Sequence, residues 1–321
     1  MDKLTATMDD KLPAAAMEAL KRFIVVIMTP SAPVFIIGGL IVLLVPILMH
    51  LWVTKSTTYT VLPSILLTGP SGAGKTALHT LLERRAPDAS PSDTHTSQTW
   101  SAVELAVSED ASSSWRDDLD ARGATASKFL LVDTPGHGKL RHYAHGRLTP
   151  EGAQSAKLKA VVFVVDAAAL SEPAALADSA AYLYEVLLAL QRRMGSTRTS
   201  KAPYAIPVLV AANKTDLFTA LPSRLVRNNL EKELGRIRRA RSRGLLDSGV
   251  GQDEVATGGD EGDDWLGEYG SAEFKFDQMR EFDTEVDVIS GNIIGDGPGV
   301  DAWWKWMGSR ISVWQGDRKQ G

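Results

Sequence analysis

"GPSGAGKT", residues 69–76, is the stretch that decides the fold of this chain. Two glycines separated by four residues and followed by Lys75 and Thr76 have the spacing of a phosphate-binding P-loop. The loop follows a short apolar run, "SILLT" at 64–68, and precedes "TALHTLLERR", which has helical periodicity. This strand–loop–helix context is the one that the motif requires, so the sequence predicts a site for a nucleotide phosphate.

Each part of the loop has its own role in such a site. Backbone N–H groups would surround the β-phosphate at the amino end of the helix. The Lys75 ammonium would reach the β- and γ-oxygens, and the Thr76 hydroxyl would ligate Mg²⁺. The residues predicted to bind the phosphates are Gly69, Ser71, Gly72, Ala73, Gly74, Lys75, Thr76 and Ala77.

A second motif follows the next strongly apolar run, "KFLLVD" at 128–133. Asp133 ends this run, and an acid at the end of such a strand holds Mg²⁺, usually through water. Gly136, three residues further on, lets a backbone N–H approach the γ-phosphate. An Asp-x-x-Gly pattern alone is also typical of a simple turn, but its place downstream of a P-loop favours the nucleotide site.

The base is indicated by "NKTD" at 213–216, directly after the apolar run at 205–212. A carboxylate at Asp216 accepts hydrogen bonds from N1–H and from the exocyclic amine of guanine. Adenine offers neither donor and would leave the carboxylate unpaired. Lys214 can lay its stem across the base while Asn213 ties this turn to the P-loop. The three motifs together predict GTP as the nucleotide.

A fifth guanine-nucleotide element is expected after the last strand, where backbone would face the guanine O6. "ISGN" at 289–292 stands in that place, with Ser290 and Gly291 as the predicted contacts. Most GTPases have Ser-Ala-Lys here, so Gly291-Asn292 departs from the usual pattern.

A switch I threonine is expected between the first helix and the edge strand, as a further ligand of Mg²⁺. "DTHTSQT" at 93–99 offers Thr94, Thr96 and Thr99, and the residues themselves do not choose among them. A Ser/Thr-rich loop without a metal is the alternative interpretation.

The pattern of apolar runs predicts the fold class. Short β-branched runs alternate with helical patterns, which is typical of a doubly wound, mostly parallel α/β sheet. The predicted class is therefore a P-loop NTPase of the small GTPase type, with its domain over 60–315. A segment rich in glycine and acid, 241–270, is expected to be a disordered surface insert. The strands are predicted at 64–68, 128–133, 159–167, 205–213 and 285–290, with an edge strand at 102–107.

A separate apolar run, "VFIIGGLIVLLVPILMHLWV", lies at 34–53; it contains no Asp, Glu, Lys or Arg, and its one titratable residue is His50. A run of this length can cross the ~30 Å hydrocarbon core of a bilayer as a helix. A cleaved signal peptide and a buried core helix are the alternatives, but signal h-regions are shorter. Because triphosphates are abundant in the cytosol, we expect the GTPase domain there and residues 1–33 in the lumen.

The composition limits the kinds of partner and of membrane anchor that the chain can have. The net charge is −4, so no strongly basic surface indicates direct binding to nucleic acid. The chain has no cysteine, which excludes disulfides, thiolate metal sites and prenyl or palmitoyl anchors.

Beyond these motifs, the chain resembles the β subunits of the signal recognition particle receptor, which are membrane-anchored, Arf-like GTPases. The resemblance runs from about residue 60 to 310, and "HGKLR" after Gly136 is among its more specific parts. It implies a single-pass protein of the endoplasmic reticulum membrane whose GTP-bound form holds the receptor α subunit. It also implies the translocon and the ribosome as further candidate partners. The matching stretches are "THTSQT", "DTPGHGKLR", "VVFVVDAAAL", "YLYEVLLAL", "NNLEKELGRIR" and "EFKFDQM".

The same resemblance implies two residue roles. Thr96 aligns best with the threonine that serves as the switch I magnesium ligand. His137 takes the place of the glutamine that positions the attacking water in Ras-like proteins. With no evident arginine finger in the chain, intrinsic GTP hydrolysis should be slow.

Two functional classes follow from the sequence. One is a GTP-loaded docking subunit of the receptor, for which turnover is incidental. The other is an Arf/Sar-like cycling switch of vesicle traffic. Cycling Arf proteins leave membranes by withdrawing a lipid or an amphipathic helix, whereas a permanent span cannot be withdrawn. The apolar run at 34–53 therefore favours docking.

Overall fold

The protein is described by a computed structural model of the 321-residue chain, which divides into two compact units, Met1–Thr60 and Val61–Gly321. The described residues are 17, 18, 21, 22, 25, 32–56, 62–84, 94–108, 115, 127–149, 157–196, 205–247, 265–267, 271, 273–295 and 299–320.

The second unit is built on one sheet of six described strands, in the order β2-β3-β1-β4-β5-β6. Strand β2 is antiparallel to β3, and every other pair is parallel. The mostly parallel sheet with its edge strand at 102–107 is thereby confirmed. The strands are β1 Ser64–Thr68, β2 Ser101–Val107, β3 Ser127–Asp133, β4 Leu158–Asp166, β5 Val208–Asn213 and β6 Val286–Ser290.

The apolar content of each strand matches its place in the sheet. Strands β1 and β5 are buried along their whole length, and β4 is buried up to its last residue. Parallel strands covered on both faces must be apolar on both, which explains their unbroken runs of Val, Leu, Ile and Ala. The edge strand β2 begins exposed and alternates only toward its end.

Helices cover both faces of this sheet, as a doubly wound fold requires. Buried residues of α2 and α6 pack on one face, and those of α3, α4 and α5 pack on the other. The helices are α1 Ala32–Ser56, α2 Lys75–Arg84, α3 His142–Leu148, α4 Pro173–Ser196, α5 Ser223–Asp247 and α6 Asp301–Gln320, with 3₁₀ helices at Gly138–Leu140, Ala169–Ser171 and Phe276–Phe282.

The sheet brings the sequence motifs to one edge. Strand β1 lies between β3 and β4, so the chain crosses from one side of β1 to the other. In open α/β sheets, ligands bind at the carboxyl ends of the strands near such a reversal. The residues at these carboxyl ends are Thr68, Asp133, Asp166, Asn213 and Ser290.

The structure describes ordered residues at both ends of the expected insert at 241–270, and the insert between them stays a prediction. Helix α5 continues through 241–247, so this part is helical. Leu266 is fully buried, and the Arg238 guanidinium donates to its carbonyl at 3.1 Å. Apolar burial and a buried cation thus fix the far end against α5, which a composition count does not detect. Residues 248–264 and 268–270 lie outside the described residues.

The first unit contains helix α1, whose bounds enclose the predicted span at 34–53. Among the described residues, the stretch long and apolar enough to cross a membrane is Pro173–Arg193 in α4. Half of that stretch is buried, as in the core helix of a globular domain. Gly38–His50 within α1 is a shorter apolar stretch.

Candidate nucleotide-binding site

The P-loop turns from β1 into α2 through glycines that no other residue could replace. Gly69 has φ +135° and Gly74 has φ +101°, in the region that side chains rarely adopt. A Cβ atom at Gly69 would collide with the Val164 carbonyl oxygen, and one at Gly74 would collide with the Asn213 side chain. The motif glycines therefore let the loop lie directly against β4 and the "NKTD" turn.

Lys75 lies over this loop. Its ammonium donates to the Pro70 carbonyl at 2.8 Å, and the residue is 5% exposed. Burial lowers the pKa of the Lys75 ammonium to about 8, although the nearby Asp133 carboxylate opposes this effect. A buried cation at the amino end of a helix is suited to an anionic phosphate, which would stabilise its charged form.

Thr76 and Asp133 meet where a magnesium ion is expected. The Thr76 hydroxyl donates to one Asp133 carboxylate oxygen at 2.7 Å, and the other oxygen is buried without a hydrogen-bond partner among the described residues. Burial raises the pKa of the Asp133 carboxyl, against the opposing effects of the Thr76 hydrogen bond and the Lys75 charge. A hydroxyl and a carboxylate with a free oxygen are the hard donors that Mg²⁺ prefers, so these residues fit the ion.

Gly136 brings the expected switch II segment, "TPGHGKLR" at 134–141, against the P-loop. It is buried, and a Cβ atom at this position would lie 2.5 Å from the Gly69 carbonyl oxygen and from the Lys75 nitrogen. Only glycine fits this approach. The close contact places the Gly136 backbone beside the predicted γ-phosphate position, next to Lys75.

A cavity of about 240 Å³ opens between these segments. Its lining combines predicted phosphate-binding residues with the switch I segment and the start of switch II. The lining residues are Ser71, Gly72, Gly74, Lys75, Thr76, Thr94, His95, Thr96, Ser97, Thr134 and Gly136.

His137 is placed differently from the cavity residues. It is exposed and is not part of the cavity lining. Its ring Nδ1 accepts from the Lys139 backbone N–H at 3.4 Å, at the amino end of the 3₁₀ helix Gly138–Leu140. Its catalytic role stays a prediction.

In switch I, the structure draws attention to a residue that sequence reasoning missed. The Ser97 hydroxyl lies 2.8 Å from the Thr76 hydroxyl, whereas Thr96 is exposed and lines the cavity. Thr94 also lines the cavity, and Thr99 does not. A serine next to the candidate threonines was the available signal. The assignment of Thr96 as magnesium ligand stays a prediction.

The "NKTD" turn is held to the P-loop as its motif predicts. The Asn213 side-chain amide donates to the Ala73 carbonyl at 2.8 Å. Lys214 has φ +63°, and its ammonium donates to the Asp166 carboxylate at 2.6 Å. Asp166, at the end of β4, has no place in the sequence motifs and was missed.

The fifth element joins the same edge through Thr215. The Thr215 hydroxyl donates to the Gly291 carbonyl at 2.9 Å, and the Gly291 N–H donates to the Ala212 carbonyl at 2.9 Å. A Cβ atom at Gly291 would lie 2.6 Å from the Trp303 ring. The unusual glycine is therefore required by the tryptophan packed behind it.

Asn292 shapes the loop beside Asp216. The Asn292 side-chain amide donates to the carbonyls of Ile294 and Gly295 at 2.9 and 3.0 Å. Gly295 has φ +79°, and a Cβ atom there would lie 3.1 Å from the Asp216 Cβ. Asp216 itself is exposed, so the carboxylate predicted to bind guanine is open to solvent beside this loop.

The spatial order of these groups defines the class of protein. Asp216, which is predicted to recognise guanine, lies at one end of the edge, while Lys75, Thr76 and Asp133 suit phosphates and magnesium at the other. With one antiparallel edge strand on a parallel sheet, this arrangement is that of a small GTPase. Residues 60–282 match the family profile described as "Signal recognition particle receptor beta subunit". The chain belongs to this family.

Individual relatives agree with the assignment. The chain is 30% identical over 196 residues to the signal recognition particle receptor subunit beta of Saccharomyces cerevisiae, which is 60% of this chain and 66% of the yeast protein. It is 46% identical to the chain solved as "Signal recognition particle receptor SRb-GTP/SRX complex" from Chaetomium thermophilum, with a TM-score of 0.64, covering 78% of this chain and 100% of that one. The SRb-GDP-Mg structure from the same organism has 46% identity and a TM-score of 0.57, with 78% and 99% covered.

The alignments to curated relatives are partial. They span between 36% and 66% of the relatives' own lengths.

Proposed function

We propose that this chain is the GTP-binding, membrane-anchored subunit of the signal recognition particle receptor. It docks the receptor α subunit at the endoplasmic reticulum for co-translational protein targeting. The observation that carries the proposal is the similarity over 78% of the chain to SRb solved with GTP and SRX. The α subunit is the proposed direct partner, and the translocon and ribosome are the proposed neighbours of the complex.

The site residues support GTP and Mg²⁺ as the bound pair. Bound GTP would supply the γ-phosphate that distinguishes the active state from the GDP state. Lys75 would stabilise the phosphate charge, while Thr76 and Asp133 would hold the ion directly or through water. The backbone of Gly136 would approach the γ-phosphate, and Asp216 would select guanine.

The contacts beside the cavity suggest how nucleotide controls docking. Trp100 directly follows switch I and is 44% exposed, and the Arg147 guanidinium lies 4.6 Å from the centre of its ring. Arg147 belongs to α3, which follows switch II. Residues that follow the two switch segments therefore lie on one surface. The γ-phosphate would order both segments, so that surface should exist only in the GTP form.

The difference in binding free energy that nucleotide control requires is small. A 100-fold preference for one nucleotide state needs only about 2.7 kcal/mol of differential binding. One charge-assisted hydrogen bond and some loop ordering are enough to provide it.

Membrane attachment is proposed for helix α1. Ten described aliphatic or methionine side chains along it are exposed, which in water would be unfavourable. We infer a single span at 34–53, with residues 1–33 in the lumen and the GTPase unit in the cytosol. The exposed side chains are Ile36, Leu40, Ile41, Val42, Leu43, Leu44, Val45, Ile47, Leu48 and Met49.

The alternative of an Arf/Sar-like cycling switch is less well supported. The family match is to the receptor subunit, and a spanning helix would prevent release from the membrane. The exposed position of His137 is consistent with slow hydrolysis, which a docking subunit tolerates.

The proposal is tested by calorimetry on the purified full chain in detergent. The chain is loaded with GDP or with a non-hydrolysable GTP analogue and titrated with the amino-terminal domain of a receptor α subunit. We expect tight binding for the GTP form and at least 100-fold weaker binding for the GDP form. Equal affinities for the two forms would contradict the proposal.

Three variants sharpen this test. Thr76→Asn removes the magnesium hydroxyl and should abolish the complex without affecting membrane insertion. Thr80→Asn is the matched control, because Thr80 lies one turn further along α2 and donates to the Ala77 carbonyl at 3.1 Å instead of lining the cavity. His137→Ala should leave docking unchanged, since hydrolysis does not build the surface.

A further inference from the structure

Asp166 has three hydrogen-bond donors around its carboxylate, divided between its two oxygens. Oδ2 accepts from the Lys214 ammonium at 2.6 Å. Oδ1 accepts from the backbone N–H groups of Ala168 and Ala169 at 3.0 and 3.1 Å. One oxygen therefore caps the turn after β4, and the other binds the lysine of the "NKTD" motif.

The sheet register explains why these two residues meet. Asp166 and Asn213 are register partners at the carboxyl ends of the parallel strands β4 and β5. The Ala167 N–H donates to the Asn213 carbonyl at 2.9 Å, and the Leu221 N–H donates to the Ala167 carbonyl at 3.0 Å. The two loops are thus bonded to each other, and Asp166 stays opposite Lys214.

Lys214 is held at both ends. Its backbone is in the left-handed region with φ +63°, where a lysine is uncommon, and its carbonyl accepts from the Leu217 N–H at 3.1 Å. Its ammonium is held by Asp166, while the side chain as a whole remains 37% exposed. A long, flexible side chain fixed at its two ends can present its aliphatic stem in only a few conformations.

We propose that Asp166 is a positioning residue for the guanine base. It holds the Lys214 ammonium, so that the lysine stem is kept in place as a platform for the face of the purine. This inference rests on the proposed binding of guanine nucleotides. Asp166 acts on the base and not on the phosphates, so it affects the residence time of GDP and GTP equally.

A purely structural role for Asp166 would be to cap the turn after β4 by accepting from the N–H groups of Ala168 and Ala169. The two roles can be tested separately because Oδ1 accepts from the turn and Oδ2 accepts from Lys214. Asparagine and serine both keep an acceptor for the cap, because they are good helix-capping residues. Neither carries the negative charge that binds the lysine. Asp166→Asn and Asp166→Ser therefore retain the cap and remove the positioning contact.

The test measures the release of fluorescent GDP and of a fluorescent non-hydrolysable GTP analogue from the full chain in detergent. Asp166→Asn should speed release of both nucleotides by about tenfold, since loss of one member of a charge pair acts mainly on dissociation. Asp166→Ser should give a similar increase. The ratio of GDP to GTP release rates should stay within twofold of that of the unchanged chain.

A double variant identifies the residue through which Asp166 acts. Lys214→Met keeps an aliphatic stem and removes the ammonium, so Asp166→Asn should add less than twofold in its presence. Glu104→Gln is the matched control, because it breaks a 2.8 Å ion pair with Lys128 at the edge of the sheet and should leave release unchanged.

Two results would overturn the inference alone. One is nucleotide release from Asp166→Asn and Asp166→Ser at the rate of the unchanged chain. The other is a double variant in which the two effects multiply in full, which would show that Asp166 does not act through Lys214. An unchanged chain that binds neither nucleotide would overturn the proposed function and this inference with it.

Discussion

One carboxylate oxygen of Asp133 accepts a hydrogen bond from the Thr76 hydroxyl. The other oxygen is buried and has no hydrogen-bond partner among the described residues. A buried acceptor without a partner costs free energy, on the order of 1–3 kcal/mol. That cost is offset if a magnesium ion, or water bound to it, uses the oxygen. The arrangement therefore favours a metal-bound state, and it is built from two residues far apart in the sequence.

The first residue-scale prediction concerns the base. Asp216→Asn should weaken GTP binding strongly and make xanthosine triphosphate the better ligand. The reason is that an amide donates where the carboxylate accepted, and xanthine offers a carbonyl at C2. Titrations of the variant with GTP and with xanthosine triphosphate measure this change in preference. Asp283→Asn, an exposed aspartate outside the cavity lining, is the control, and unchanged GTP affinity in Asp216→Asn would remove Asp216 from the site.

The second residue-scale prediction concerns the switch I residue that binds Mg²⁺. Thr96→Ala should raise the release rate of a GTP analogue in Mg²⁺ by about tenfold, because one ion-bound hydroxyl is lost. It should change GDP release by less than twofold, since switch I is ordered by the γ-phosphate and its ion. Ser97→Ala is the control within the same segment and should have the smaller effect. The reverse ranking would assign the ligand to Ser97, whose hydroxyl lies 2.8 Å from that of Thr76.

At the scale of elements, the backbone around Gly291 and the "NKTD" turn depends on how α6 packs against the sheet. The Trp303 indole N–H donates to the Ile289 carbonyl at 3.0 Å, and its ring fills the space where residue 291 would carry a side chain. Gly291 in turn accepts from Thr215 in the "NKTD" turn. A helix on one face of the sheet thereby sets the backbone beside the predicted position of the base.

This packing gives the third prediction. Gly291→Ala should destabilise the protein by about 1–3 kcal/mol, because its methyl group would press into the Trp303 ring and the Gly299 carbonyl. Gly146→Ala is the matched control, since Gly146 is exposed within α3 and a Cβ atom there meets nothing within 4 Å. That control should be neutral or stabilising by up to about 1 kcal/mol. Thermal melting of the GDP-loaded proteins compares the two, and equal melting temperatures would contradict the packing argument.

At the scale of the whole molecule, the nucleotide site lies entirely within the unit Val61–Gly321. Every lining residue of the cavity belongs to it, and so do the "NKTD" turn and the "ISGN" segment. The unit has its own two-sided hydrophobic core, so it has the material to fold alone.

The fourth prediction tests this independence. A chain that starts at Lys55 should be soluble without detergent, monomeric and able to bind GTP, because the exposed apolar residues of α1 are removed. Size-exclusion chromatography and nucleotide titration measure these properties, with the full chain in detergent as the control. Aggregation or loss of GTP binding would mean that residues 1–54 belong to the fold of the GTPase unit.

The sequence by itself determined the fold class, the strand runs and the three motifs that are predicted to bind phosphate, magnesium and guanine. These features are local, because a P-loop or an "NKTD" turn depends on a few consecutive residues and on the strand before them. The apolar runs of β1, β4 and β5 indicated buried central strands for the same reason.

Only the tertiary structure decided which side chains support the site. The pairing of Asp166 with Lys214, the approach of Ser97 to Thr76 and the fit of Gly291 against Trp303 join residues 12 to 48 positions apart. Such contacts depend on strand register and helix packing, and they leave no periodic pattern in the sequence. The ordered ends of the 241–270 segment belong to the same group, because a polar, glycine-rich composition does not show that Leu266 is buried against α5.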